Sequence, residues 1–241
     1  MTNDSLRLSV IVPCYNERRR IGETLAQFDA YLRRQPYKSE IILVDDGSTD
    51  GTAPYVRENF AAVRVIDYRP NRGKGHASKV GFEESKAPYR LISDADASTP
   101  IDELEKFWPE IDAGADIVIG SRALPHSQIE VRQPWYRQNM GRTYNLVLRS
   151  LGLTQFPDTQ CGFKLFTGKA CDVILPRQTA DGFGADAEWL YISRRHGLRV
   201  AQVPVRWINS PDTRVHAVLD SVDMLGEVLK IRWNALRGRY R

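Results

Sequence analysis

Residues 40–52 read Glu-Ile-Ile-Leu-Val-Asp-Asp-Gly-Ser-Thr-Asp-Gly-Thr. The run Ile41 to Val44 is short, rich in β-branched side chains and continuous in hydrophobicity, the pattern of a strand covered on both faces. It stops at Asp45-Asp46-Gly47, and Ser48 to Thr52 are residues that build turns and cap helices. The same pattern, a strand running into a polar cluster, recurs on either side. Leu8 to Val12 runs into Pro13-Cys14-Tyr15-Asn16-Glu17, Val63 to Tyr68 into Asn71-Arg72-Gly73-Lys74-Gly75, and Tyr89 to Ser93 into Asp94-Ala95-Asp96, while Ile117 to Ile119 reads as a fifth strand. Between them Ile21, Leu25, Phe28 and Leu32 recur at helical spacing, as do Leu104, Phe107, Trp108 and Ile111. Strands alternating with helices predict an α/β fold with a single, mostly parallel sheet flanked by helices.

In an open α/β sheet, ligands bind outside the carboxyl ends of the strands. All four polar clusters fall there, so they converge on one crevice although they lie far apart in the chain. Ser48 to Thr52 are accounted for equally well as a turn and cap. Asp45 and Asp46 repel each other, however, and at least one gains from a donor such as a base N–H or a ribose hydroxyl. If the chain turns after Asp96, as Ser98-Thr99-Pro100 suggests, Asp94 and Asp96 approach one divalent cation that also bridges phosphate oxygens; capping explains an isolated Asp-x-Asp as well. Gly73-Lys74-Gly75 either brings amides and a cation to a phosphate or is a surface turn. No Gly-x-Gly-x-x-Gly follows the first strand, which argues against a dinucleotide oxidoreductase. His76, His126, His196 and His216 show no metal-pair spacing and are assigned no chemistry.

The 241 residues are 42% apolar and 27% charged, ordinary for one or two globular domains. A net charge of +4 is too slight to indicate nucleic acid, and no nucleic-acid-binding motif surrounds the basic residues. The longest apolar stretches are strand-sized, well short of the ~18–20 residues of a membrane-spanning helix. Residues 1–7 lack the basic-then-apolar order of a secretion signal. Cys14, Cys161 and Cys171 are odd in number and lack Cys-x-x-Cys spacing, so they read as reduced thiols. The expectation is a cytoplasmic protein that meets a membrane, if at all, peripherally at its cytoplasmic face.

Ser9-Val-Ile-Val-Pro-Cys-Tyr-Asn-Glu17, Val44-Asp-Asp-Gly-Ser-Thr-Asp-Gly-Thr52 and Asp94-Ala95-Asp96 resemble the inverting nucleotide-sugar glycosyltransferases of family 2, which have the GT-A fold. A narrower resemblance is to dolichyl-phosphate and polyprenyl-phosphate β-glucosyltransferases. It rests on Asn71 to Gly75, Ile119-Gly120-Ser121-Arg122, Asp158-Thr-Gln-Cys-Gly-Phe-Lys-Leu-Phe166 and Asp186-Ala-Glu-Trp-Leu-Tyr191, and runs from about Arg7 to the C-terminal helix. The resemblance implies a GT-A catalytic domain over 1–214, with an acceptor-side segment at about 121–153, and a basic amphipathic helix over 215–241. It implies that Pro13, Tyr15 and Glu17 contact the nucleoside, with Asp46 at the base or ribose and Asp45 in the same nucleotide-sugar site. Asp94 and Asp96 would flank the diphosphate and hold Mg2+ or Mn2+, with Ala95 between them and Lys74 in the same nucleotide-sugar site. Arg122 and Arg137 would join Asp94 and Asp96 as catalytic groups on the phosphates. Lys164 and Arg214 are further anion contacts. Asp186 and Glu188 stand where relatives with hydroxyl acceptors carry a base, and either act so here or orient the sugar or Lys164. Cys161-Gly162-Phe163-Lys164 departs from the Ser-Gly-Phe variant of the mannosyltransferases, which favours UDP-glucose over GDP-mannose.

Charge placement supports a phosphate acceptor independently. From Ser121 to Leu153 there are five arginines, Arg122, Arg132, Arg137, Arg142 and Arg149, against the single acid Glu130, and guanidinium suits phosphate. Trp135, Tyr136, Met140, Tyr144, Val147, Leu148 and Leu151 form an apolar stripe among them, serving core packing or lipid contact. In the tail, Val218, Val222, Leu225, Leu229, Trp233 and Leu236 recur at helical spacing, with Lys230, Arg232, Arg237, Arg239 and Arg241 supplying charge. Such a helix lies in an anionic membrane interface, packs on its own domain, or meets another subunit in a homo-oligomer. The expected reaction is transfer of glucose from a UDP-sugar donor to a polyprenyl phosphate, without a catalytic base because the acceptor is already anionic. The competing expectations are GDP-mannose as donor, or a hydroxyl acceptor with Asp186 or Glu188 as base.

Overall fold

The structure, a computed structural model, describes residues 5–131, 135–208 and 217–241, with side chains of 135–138 and 217–222 outside the description. The first half runs β1 (Leu6–Cys14), α1 (Ile21–Leu32), β2 (Lys38–Asp45), α2 (Thr52–Asn59), β3 (Val63–Asp67), α3 (Lys74–Glu84) and β4 (Tyr89–Ser93). Then come α4 (Trp108–Asp112), β5 (Ile117–Ser121), β6 (Gln128–Val131), α5 (Trp135–Ser150), β7 (Phe163–Thr167), α6 (Gly168–Ile174), α7 (Ala185–Arg195), β8 (Val200–Pro204), β9 (Arg206–Ile208) and α8 (Ala217–Leu236). The five strands expected from the sequence are all present. The helix expected across Leu104 to Ile111 is instead a 3-10 turn, Ile101–Lys106, followed by the short α4. Pro109 lacks an N–H and its ring crowds the preceding turn, so a continuous helix cannot pass through it.

Seven strands form one sheet in the order β3-β2-β1-β4-β7-β5-β8, and β6 and β9 pair in a second, two-stranded sheet. β7 is antiparallel to both β4 and β5, whereas β1–β2, β2–β3, β1–β4 and β5–β8 are parallel. Strand order reverses between β1 and β4, and such a reversal opens the crevice in which α/β sheets bind ligands. The antiparallel β7 was not legible in the sequence, and it matters to the site. Its first residue, Phe163, pairs with Ser93, the last residue of β4. The segment leading into β7 therefore arrives at the same edge from which Asp94 departs.

Successive residues of the central strands alternate between two cores, as the period of an extended chain requires. Ile11, Ile42, Val44 and Ile92 face one side with Phe82, Phe166 and Trp189, while Val10, Val12, Leu43 and Leu91 face the other with Leu25, Phe28 and Phe107. Phe82, Phe166 and Trp189 meet edge-to-face, with centroids 4.9–5.6 Å apart. This double cover explains why the strands read as continuous apolar runs.

Candidate active site

At the carboxyl edge, the loops after β1 and β2 tie each other down. Asn16 and Glu17 donate their N–H groups to Ser48 Oγ (2.8 Å) and Thr52 Oγ1 (3.0 Å), Arg18 N–H donates to Asp50 Oδ2 (3.1 Å), and Thr49 N–H donates to Asn16 Oδ1 (2.8 Å). Ser48 to Thr52 are thus more than a local cap: they supply acceptors to the neighbouring loop. Asp45 accepts from Ser48 N–H at 2.7 Å. Asp46 spreads its carboxylate across the third loop, accepting from Arg72 N–H (2.8 Å) and Gly73 N–H (2.7 Å). The donors that relieve the Asp45–Asp46 repulsion are protein amides in this structure. Pro13 is buried within β1, Tyr15 is exposed at the rim, and the buried Glu17 pairs with Arg20, whose Nη2 lies 2.7 Å from Oε1.

The chain turns directly after β4. Ala97 N–H donates to Asp94 O at 3.1 Å with Ala97 at φ +48°, and Thr24 Oγ1 anchors the buried Ala95 through its carbonyl at 2.8 Å. Asp94 Oδ1 lies 2.6 Å from Lys74 Nζ; Asp96 accepts from Ser98 N–H at 2.9 Å and lies 3.8 Å from Arg20 Nη1. Lys74 opens α3 where the chain is pressed against residues 180–185. A Cβ on Gly75 would stand 2.6 Å from Ala185 Cβ and 2.7 Å from Gly182 O. Gly73-Lys74-Gly75 is therefore a close-packed segment aiming a cation at Asp94, not a free surface turn. On the other side of Asp94 lies Gly162, where a Cβ would fall 1.9 Å from Asp94 Oδ2. The carboxylate rests on bare backbone, held between a glycine and a lysine.

The electrostatics separate the two carboxylates. Burial opposes the charge of Asp94, but Lys74, then Lys164 and Arg122, outweigh it and hold its pKa below the usual carboxylate range. Burial and the neighbouring Asp94 push Asp96 the other way. Burial likewise opposes the charge of Lys74, and Asp94 and Asp186 more than restore it. Two crowded carboxylates on one turn are hard oxygen donors that fit a divalent cation. Among the described residues no third His, Cys, Asp or Glu joins them in a metal-holding group.

Beside the crevice, Arg122 follows β5 and forms a forked pair with Asp158, Nε to Oδ2 at 2.8 Å and Nη2 to Oδ1 at 2.9 Å, while its own N–H donates to Oδ2 at 2.9 Å. Burial would raise the Asp158 pKa; Arg122 instead brings it down to about 2. The Arg122 guanidinium also lies 5.5 Å from the Trp207 ring centroid. Together they border an open cavity of about 190 Å3 whose lining includes Ile129, Arg142, Asn145 and Gln160. Among the described residues no carboxylate pairs with the exposed Arg142. Lys164 is 1% exposed and lies in the core of the site, donating to Cys161 O at 2.6 Å and paired with Asp186. Glu188, two residues on, is not brought to the crevice. It accepts from Thr179 N–H and Ala180 N–H, both at 2.8 Å, from Thr179 Oγ1 at 2.6 Å and from Tyr240 OH at 2.5 Å. The side chain of Arg137, and Arg214 altogether, lie outside the described residues.

The match to known proteins agrees with this geometry. Residues 9–175 fit the model of glycosyl transferase family 2, which covers most of the chain and every loop described above except that leading into α7. The chain belongs to glycosyl transferase family 2. Among its family relatives, the dolichyl-phosphate β-glucosyltransferase of Saccharomyces cerevisiae is 30% identical over 99% of this chain and 78% of its own length. The human enzyme of that name is 30% identical over 98% and 78%. A solved structure of glucosyl-3-phosphoglycerate synthase from Mycobacterium tuberculosis, in complex with Mn2+, UDP-glucose and phosphoglyceric acid, superposes with a TM-score of 0.70 at 18% identity, covering 94% of this chain and 79% of that one. The family 2 member described here thus has the GT-A fold, and is a glycosyltransferase.

Sequence reasoning gave several residues of this family 2 site no role. Asp158 lay inside a quoted motif, yet its pairing with Arg122 depends on β7 entering the sheet beside β5. Gly162 is needed because the Asp94 side chain occupies the space of its missing Cβ, a contact between residues far apart in sequence. Arg20, Trp207 and Glu227 carried no local signal.

Proposed function

We propose that this family 2 enzyme transfers glucose from UDP-glucose to a polyprenyl phosphate of the dolichyl type, with inversion, giving a β-linked lipid-phosphate sugar. The observation that carries the reading is the condition of the acidic groups on the acceptor side. Asp158 is held by Arg122, Asp186 by Lys164, and Glu188 by Thr179, Ala180 and Tyr240. None of the three is placed to take a proton from a hydroxyl acceptor. A phosphate monoester needs no such base, because it is anionic near neutral pH and attacks directly. The relatives named for dolichyl phosphate and glucose, similar over nearly the whole chain, support the same acceptor and sugar.

In this mechanism the acceptor phosphate sits in the cavity beside Arg122 and Arg142, and the start of the lipid chain lies against Ile129 and Trp207; Arg137 is a catalytic contact to the phosphates. Asp158 fixes the plane of the Arg122 guanidinium, so its donors are oriented before the acceptor arrives. A phosphate oxygen attacks the anomeric carbon opposite the diphosphate. Its lone pair forms the new C–O bond as the bond to UDP breaks, which turns an α-linked donor into a β-linked product. Asp94 and Asp96 would hold Mg2+ or Mn2+, which supplies Lewis-acid neutralisation of charge on the departing diphosphate. Lys74 adds a fixed cation beside Asp94. Pro13, Tyr15, Glu17, Asp45 and Asp46 form the nucleoside end, Asp186 orients Lys164, and Arg214 is a further anion contact. No described helix is long and apolar enough to cross a membrane, and we place the enzyme peripherally at the cytoplasmic face.

A radiolabel assay tests this reading. Purified protein with Mn2+ or Mg2+ is offered UDP-glucose or GDP-mannose together with polyprenyl phosphate or soluble glycans. Label moves from UDP-glucose to the lipid; transfer only to the glycan, or only from GDP-mannose, overturns the acceptor or the sugar respectively.

A further inference from the structure

We propose that α8 docks the protein on an anionic lipid surface through an apolar stripe that the fold leaves uncovered. The helix is two-faced. Val228 and Ile231 are fully buried, and Glu227 on the same side accepts from Gly182 N–H at 2.8 Å and Gly184 N–H at 2.7 Å, in the loop that presses on Gly73 and Gly75. The opposite side exposes Leu225 (46%), Leu229 (56%), Trp233 (55%) and Leu236 (67%). These positions, i, i+4, i+8 and i+11, form one continuous stripe along the helix.

The charges around the stripe select the occupant. From Leu225 to Arg241 there are five cations, Lys230, Arg232, Arg237, Arg239 and Arg241, against the single acid Glu227, whose carboxylate is turned inward onto the Gly182 and Gly184 amides. Pairing this face with a second copy would bring like charges together, whereas anionic headgroups complement them. The Arg237 guanidinium lies 4.5 Å from the Trp233 ring centroid. An indole with a cation at its edge suits the boundary between acyl chains and headgroups. Because Glu227 fixes the inner face to the loop beside Lys74, a docked α8 holds the crevice at a set position relative to the lipid that carries the acceptor. The inference deepens the lipid-phosphate reading and takes its purpose from it, although docking itself is measured without transfer.

The full chain is sedimented with vesicles of phosphatidylcholine alone or mixed with phosphatidylglycerol. Wild type binds the mixed vesicles and binds phosphatidylcholine weakly. The double variant Leu229→Glu, Trp233→Glu binds the mixed vesicles about tenfold or more weakly, while its thermal melt and its transfer to a short-chain, water-dispersible polyprenyl phosphate are unchanged. Equal binding by wild type and variant overturns the proposal. So does a wild-type dimer in analytical ultracentrifugation that the variant loses, which would make the stripe a self-association surface. Vesicle binding without transfer to any lipid phosphate sinks the functional reading and leaves docking standing; transfer to the short-chain acceptor without vesicle binding does the reverse.

Discussion

Gly162→Ala isolates the geometry of Asp94. The backbone at Gly162 is not in the left-handed region, so alanine is conformationally acceptable there, and the whole effect is steric. The added methyl would sit 1.9 Å from Asp94 Oδ2, 2.2 Å from Cγ and 2.4 Å from Oδ1. Relative to an ordinary contact near 3.5 Å, the carboxylate must retreat by about 1.5 Å. It cannot do so and keep its 2.6 Å contact with Lys74. A displacement of about 1 Å in a positioning group costs on the order of 100-fold in rate, or about 2.7 kcal/mol of transition-state stabilisation. The expected result is a fall in kcat/KM of about that size in the glucosyl-transfer assay, with a raised Mn2+ requirement and a thermal melt close to wild type. Activity within a few-fold of wild type, at unchanged metal dependence, would refute the role given to the Asp94–Gly162 contact.

Four further outcomes follow from the same geometry. Asp158 titrates at about 2 in the folded protein against about 3.9 unfolded, so it contributes about 2–3 kcal/mol above the unfolded value. That stability is lost as pH falls from about 4 towards 2, and an Asp158→Asn variant shows a flatter acid limb in denaturant titrations. Arg122→Ala leaves the buried Asp158 without its partner, a loss of about 3 kcal/mol in urea unfolding, and it abolishes transfer; a variant with wild-type stability contradicts the pairing. Glu188→Gln lowers the melting temperature because four hydrogen bonds are disturbed, yet the folded fraction keeps kcat within a few-fold; a large loss of kcat at unchanged fold would restore a general-base role. Glu227→Gln offers one acceptor oxygen where two were used, weakening the loop by about 1–2 kcal/mol, read as faster hydrogen exchange at Gly182 and Gly184 together with reduced transfer.

The first half of the fold was legible because its physics is local. The central strands β1, β2, β4 and β5 carry apolar runs covered on both sides, β3 is a half-buried edge strand, and β1 to β4 each end where polar residues take over, so strand positions and the ligand edge followed from pattern alone. The turn after Asp96 was legible from Ser98-Thr99-Pro100. The helix across Leu104 to Ile111 was misread because hydrophobic spacing carries no account of Pro109. The antiparallel β7 was missed because Phe163 to Thr167 reads as a strand with no direction. Its orientation is set by pairing with β4 and β5, and it alone explains why Asp158, Gly162 and Lys164 reach the site. Of the two aspartates at the end of β2, Asp45 takes the local Ser48 N–H, whereas the donors to Asp46 are the amides of Arg72 and Gly73, a contact between loops that no local pattern reveals. The tail was read as amphipathic with three destinations open; the fold buries its Val228 face and leaves the Leu229 and Trp233 face bare, a division that only packing could make.

The central claim is inverting transfer to a lipid phosphate without a protein base. It is tested most directly by incubating the protein with UDP-glucose, Mn2+ and a defined polyprenyl phosphate, and analysing the product by mass and by the anomeric proton coupling. The account predicts the acceptor mass plus one hexose residue, in the β configuration. An α-linked product, or glucose found only on a hydroxyl acceptor, would contradict it.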